Sequence, residues 1–313
     1  MAARIGVAAD DPWLRQLTEH GPADVELRID AEVLRHLEVP DDDAAELTDL
    51  APNLIADDEL WWLLRAESQR MTASMGEYGH LPGGPHLPAG LGAVGRYFYA
   101  FVFLAVLPEV RAFHARHAIP DDVSWASLAD LGEKLALHRR SFGTGGMRTQ
   151  FWFTLHQRGV IYRLGRLQFN QQRSDGHPVL GTHIPEWGGP LSPRACGDSL
   201  RQARRFFAAH FPGFDPTHAA CSSWLLDPQL AEYLPATSNI VAFQRMFRLL
   251  DAEPEPVTDG RTPGDRSVLE FVFRSPGTAL DELPQRTTLQ RAAVAHLMNG
   301  RHWAQRSGSL PLR

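Results

Sequence analysis

His183 and Glu186 close a β-like run over residues 179–184, which stops at Pro185. The glycine-containing loop Trp187-Gly188-Gly189-Pro190-Leu191 follows, and then a strong helix start at Ser192-Pro193. Serine is a preferred N-cap and proline suits the first helical position, so the spacing predicts a helix running on through Leu200, Ala203, Phe206 and Phe207. Strand, glycine loop and helix start together make an anion cradle, because unpaired N–H groups and the positive end of the helix dipole face the loop. A histidine and a carboxylate beside such a cradle could move a proton next to a bound phosphate or pyrophosphate. An ordinary strand-to-helix connection is the plainer alternative.

The elements that hold these groups belong to a chain of 313 residues, room for two domains. Its 43% hydrophobic and 22% charged content is that of a globular protein with ample core. The net charge of −6 argues against a nucleic-acid binder. Cys196 and Cys221 are too few for a disulfide framework or a zinc cluster, and they read as reduced thiols of a cytoplasmic protein. No signal pattern opens the chain, and the longest apolar run, residues 97–107, is too short to span a membrane. Lys134 is the only lysine and lies in a helical pattern, which sets aside Schiff-base chemistry and Walker-type loops.

The first part reads helical, with segments at 12–20, 30–37, 41–50, 57–71, 91–117 (broken near Pro108) and 125–139. A Gly/Pro-rich loop at 76–92 carries His80 and His86, which read as loop residues rather than metal ligands. After Ser141-Phe-Gly-Thr-Gly-Gly146 the pattern turns β-rich. The expected strands are 149–156, 160–170, 179–184, 218–225 and 267–274, with a hairpin turn at Gln157-Arg-Gly159. Helices are expected at 193–210, 230–233, 239–250 and 287–303. The fold class is α+β, with a helical domain over 1–145 and a mixed-sheet domain with flanking helices over 146–313.

The order hairpin, strand, loop, helix, strand, helix, strand resembles the GNAT acetyltransferase fold. Four segments are similar to a bacterial family with a helical N-acyltransferase N-terminal domain and a GNAT-like C-terminal domain. They are Tyr162-Arg-Leu-Gly-Arg-Leu-Gln-Phe169, His183-Ile-Pro-Glu-Trp-Gly-Gly-Pro-Leu-Ser-Pro193, Ser223-Trp-Leu-Leu-Asp-Pro228 and Leu234-Pro-Ala-Thr-Ser-Asn-Ile240. The resemblance spans essentially the whole chain. It implies an acyltransferase that moves an acyl group from acetyl-CoA or a longer acyl-CoA to a small-molecule or peptide amine, without a metal. An acyl carrier protein stays open as the donor, and oligomeric state is left open.

The chain departs from the superfamily's pyrophosphate signature, because Glu186-Trp-Gly-Gly-Pro-Leu191 does not match it. Arg140-Ser-Phe-Gly-Thr-Gly145 matches by letter but follows a helix, and reads as a helix C-cap and linker. Under the acyltransferase reading, Trp187, Gly188, Gly189, Leu191, Ser192 and Arg194 form the cofactor cradle. His183 is the expected base, with Glu186 as the alternative base through water. Tyr233 or Ser238 would supply a general acid. Arg166 and Gln168, alternating on one strand face, are expected to meet substrate. Two other classes stay open: a non-catalytic GNAT-like binding module, and a metal-assisted hydrolase using His177, His183 and Glu186.

Overall fold

Aspartates set the starts of the early helices in the computed structural model, which describes residues 1–79, 81–274 and 278–312. Asp11, Asp30 and Asp57 each accept backbone N–H groups of the following turn, satisfying donors that a helix start leaves unpaired. The chain divides into two compact units, Met1–Tyr162 and Arg163–Arg313. His80, considered above as a loop histidine, lies outside the described residues.

The first unit is helical: α1 (Ala2–Ile5), α2 (Pro12–His20), α3 (Ala31–His36), α4 (Asp41–Ala56), α5 (Asp58–Ala73), α6 (Gly92–Arg116), α7 (Asp121–Leu128), α8 (Asp130–Phe142) and α9 (Gln150–Gln157). Its core forms around α6, in which every residue from 97 to 107 is buried. The stretch Ala89–Arg116 is long and apolar enough to cross a membrane by length and composition alone. In this unit it is the central helix, the place for a helix that is apolar on all sides. Pro108 lies inside α6 without ending it, contrary to the break expected there. Packing on every face outweighs the one backbone hydrogen bond that proline removes. α8 approaches the turn after α3 so closely that a Cβ on Gly132 would lie 2.1 Å from the Glu38 carbonyl oxygen.

Residues 150–157 form α9, where a strand was expected. Phe151, Trp152 and Phe153 favour strands locally, but Gln150, Phe153, Thr154 and Gln157 are buried at helical spacing, and that pattern decides the outcome. The expected hairpin turn at 157–159 is accordingly the exit from α9. Residues 141–146, where the domain boundary was expected, lie within the first unit. Gly143 is the left-handed C-cap of α8, and the Gly145 carbonyl accepts from Arg96 Nε at 2.8 Å.

The second unit carries a mixed sheet: β1 (Ile161–Leu164, within which the division falls), β2 (Leu167–Ser174), β3 (His177–His183), β4 (His218–Ser223), β5 (Arg248–Leu249) and β6 (Arg306–Pro311). The strand order is β1-β2-β3-β4-β6-β5. Gly165 (φ +73°) turns β1 into β2, so the single strand expected over 160–170 is parts of two. Asp175-Gly176, both at positive φ, turns β2 into β3 in the manner of a tight hairpin. α10 (Pro193–His210) crosses over from β3 to β4, which pair in parallel.

α11 (Asn239–Gln244), α12 (Pro263–Val268) and α13 (Thr288–Met298) complete the unit. The strand expected over 267–274 is instead the end of α12 and a π-helical turn over Leu269–Phe273. The Thr262–Asp265 capping box starts a helix there, and Val268, Leu269 and Phe273 join an apolar cluster with Leu297 and Trp303.

Candidate active site

β3 and β4 pair only through Leu180 with Ala219 and Gly181 with Ala220. Beyond those residues the pairing of the two strands stops, and His183 closes β3 there. The crevice outside the carboxyl ends of parallel strands is where open α/β sheets bind ligands. The register sets His183 opposite Gln168 and Gly181 opposite Asn170, so all four lie on one face of the sheet. His183 Nε2 lies 2.7 Å from Asn170 Oδ1. Gln168 is 2% exposed, and its amide nitrogen has no hydrogen-bond partner. A buried amide donor left unmatched costs about 1–3 kcal/mol, so it is a place where a ligand acceptor would be favoured.

The loop after β3 is held from beneath by Arg166, which is 8% exposed. Its guanidinium donates from Nε to the Gly189 carbonyl at 2.7 Å and from Nη1 to the Pro185 carbonyl at 3.0 Å. Gly188 and Gly189 sit at φ +92° and +80°, conformations that side chains other than glycine's resist. Arg166, expected to meet substrate, is placed so that it spans the loop. Trp187 lies under the Arg163 guanidinium, 3.2 Å from the ring centroid, a cation–π stack. Glu186 forms an ion pair with Arg274, which engages the carboxylate expected to serve as the second base.

α10 begins as its sequence dictates. Ser192 Oγ accepts from Ala195 N at 3.2 Å, Pro193 has no N–H, and Cys196 N bonds to Ser192 O. The Arg194 N–H is thus the donor the first turn presents to an anion, backed by the helix dipole. Leu191 is buried and anchors the end of the loop. The Arg194 side chain is 91% exposed and 3.9 Å from Asp198, so it reaches into solvent rather than back over the loop.

The expected general acids have other occupations. Tyr233 Oη lies 3.0 Å from His296 Nδ1, and His296 stacks on Trp303. Ser238 Oγ accepts from Val241 N at 3.2 Å and caps α11. Cys196 and Cys221 are buried; burial raises the first thiol's pKa and pushes the second up to about 12. Among the described residues no group of three His, Cys, Asp or Glu side chains could hold a metal ion.

Residues 161–310 match the family described as GNAT-like C-terminal domain, and residues 30–159 match the N-acyltransferase N-terminal domain. Three solved structures each align with 99% of the chain and 97% of their own. A mutant acyltransferase in complex with octanoyl-CoA is 49% identical, with a TM-score of 0.93. An acyltransferase in complex with CoA and 10C-teicoplanin is 48% identical, with a TM-score of 0.93. An acyltransferase in complex with decanoyl-CoA and teicoplanin is 48% identical, with a TM-score of 0.92. The chain belongs to this acyltransferase family. No curated protein sequence matches it.

For this acyltransferase the sequence placed the helix start, the loop and His183 together, and they are contiguous in space. Asn170 was missed. A lone Asn in a strand carries no signal until the register sets it diagonally across from His183.

Proposed function

We propose that this acyltransferase moves a medium-chain acyl group from CoA to an amine of a glycopeptide-class acceptor, with His183 as the proton acceptor. The observation that carries the reading is His183 at the carboxyl end of β3, past its last pair with β4, on a scaffold shared with relatives that hold octanoyl-CoA, decanoyl-CoA and teicoplanin. The residues fit the donor. The Arg194 N–H and the positive end of α10 suit its pyrophosphate, and the strand ends past the Gly181–Ala220 pair, where β3 and β4 no longer pair, suit a slender pantetheine arm. Gly188, Gly189, Leu191 and Ser192 shape that cradle, and Trp187 with Arg163 forms its wall. The unmatched Gln168 amide is the donor offered to a substrate carbonyl.

The chemistry is direct transfer. The amine nitrogen bonds to the thioester carbonyl carbon and the carbon–sulfur bond breaks. The amine proton passes to the imidazole of His183 and from there to the departing thiolate. Positioned general-base help of this kind contributes about 10²–10⁴-fold. The buried thiols and the use of acyl-CoA support a cytoplasmic setting.

A thermal-shift titration with CoA, octanoyl-CoA and decanoyl-CoA, with ATP and NAD as controls, tests the donor. A ligand at a hundred times its Kd stabilises by about 2.7 kcal/mol. Stabilisation by CoA compounds alone is expected. Equal shifts with ATP, or none with any CoA compound, would sink the donor assignment and favour carrier-protein delivery.

A further inference from the structure

Asn170, 5% exposed, is oriented by its own backbone surroundings. Its Nδ2 donates to the Gln171 carbonyl at 2.8 Å, which turns Oδ1 toward His183 Nε2, 2.7 Å away. An amide oxygen only accepts, so Nε2 carries the proton and the neutral ring keeps its basic lone pair on Nδ1.

Gly181 makes this contact possible. A Cβ there would lie 2.0 Å from Asn170 Oδ1 and 2.7 Å from Gln172 Oε1. Gly181 is not among the glycines at positive φ, so its backbone does not require glycine. The space above it does, because the Asn170 side chain passes over β3 there to reach the ring two residues along.

We propose that Asn170 is a positioning residue for acyl transfer, holding His183 through the notch at Gly181 as the Nε2–H tautomer with Nδ1 as proton acceptor. The proposal rests on the reading of His183 as the base. A neutral amide suits the task better than a carboxylate. It fixes the tautomer without adding a negative charge that would keep the ring protonated.

The test combines kinetics with nitrogen NMR of the imidazole in the full-length protein. Wild-type His183 is expected to show the Nε2–H tautomer, and Asn170→Ala to lose that preference. Asn170→Ala and Gly181→Ala should each lower kcat by about 10²-fold, the scale of a misplaced catalytic group, with KM for decanoyl-CoA unchanged. Asn170→Asp should move the acid limb of the pH–rate profile to higher pH. An Nδ1–H tautomer in the wild type would overturn the proposal even if the variants fold poorly. Wild-type kcat and pH profile in both Asn170→Ala and Gly181→Ala, with His183→Ala inactive, would overturn it while leaving the base in place. Full activity in His183→Ala would instead remove the base reading, and the positioning role with it.

Discussion

Removing the Arg166 guanidinium separates a loop-holding role from a substrate-binding one. In Arg166→Ala the Gly189 and Pro185 carbonyls lose donors at 2.7 and 3.0 Å, while the main-chain bond from Arg166 N to Ser199 Oγ survives. Two hydrogen bonds from a charged donor, at roughly 1.5–3 kcal/mol each, are together worth about 3–6 kcal/mol. Removing a buried cation also removes its desolvation cost, which leaves about 2–4 kcal/mol of lost stability. At about 2–4 °C per kcal/mol for a unit of this size, Tm falls by about 4–16 °C. The loosened loop must also be ordered again when the donor binds. Fixing even one residue costs roughly 1–2 kcal/mol. KM for decanoyl-CoA should therefore rise about 5- to 30-fold. Arg166→Lys keeps the charge but cannot bridge two carbonyls with a planar fork, so it should fall between wild type and Arg166→Ala. The assay is a melt plus steady-state kinetics with donor and acceptor varied separately. An unchanged Tm and donor KM, with a rise confined to the acceptor's KM, would refute the loop-holding account and restore Arg166 as a substrate contact.

Gly132→Ala should destabilise the first unit by about 1–3 kcal/mol or more, read as a lower denaturant midpoint, because the new methyl would meet the Glu38 carbonyl. Burial, aided by Arg111, pushes the pKa of His114 down to about 3, below its value in the unfolded chain. The unfolded chain therefore takes up a proton that the folded one refuses. Stability should fall as pH drops from about 6.5 toward 3, by up to ~1.4 kcal/mol per pH unit for this group, and His114→Gln should flatten that slope in melts. Ser238→Ala should cost about 1 kcal/mol through loss of the α11 cap while kcat stays at the wild-type value; a collapse of kcat without loss of stability would return Ser238 to the chemistry.

Much of the site was legible because its signals are local. Ser192 and Pro193 announce α10, and the glycines before them announce a loop. The acid-rich first turns and apolar stripes of α4 and α5 likewise spell out helices. The signal failed where packing overrode local preference. Phe151-Trp-Phe153 favours a strand, yet it folds as α9 because one face of its successive turns is buried. Val268 to Phe273 looks like a strand, yet a capping box upstream starts a helix. β6 went unread for a different reason. Arg306-Ser-Gly-Ser-Leu-Pro311 has little apolar alternation, and it is a strand because it lies between β4 and β5. Gly308 there accommodates Phe247, whose Cβ would lie 2.8 Å from a Cβ at that position. Asn170 shows the same limit for the site. Its role depends on register and on the empty space over Gly181, neither of which is written in a single strand.

The most direct test of the account is mass-spectrometric detection of acyl transfer from decanoyl-CoA to an amine-bearing glycopeptide, with CoA release followed in parallel, for wild type and His183→Ala. The account predicts acylated product equal to the CoA released, and a loss of about 10²–10⁴-fold in rate for His183→Ala. CoA release without acylated product, or equal rates for the two proteins, would contradict it.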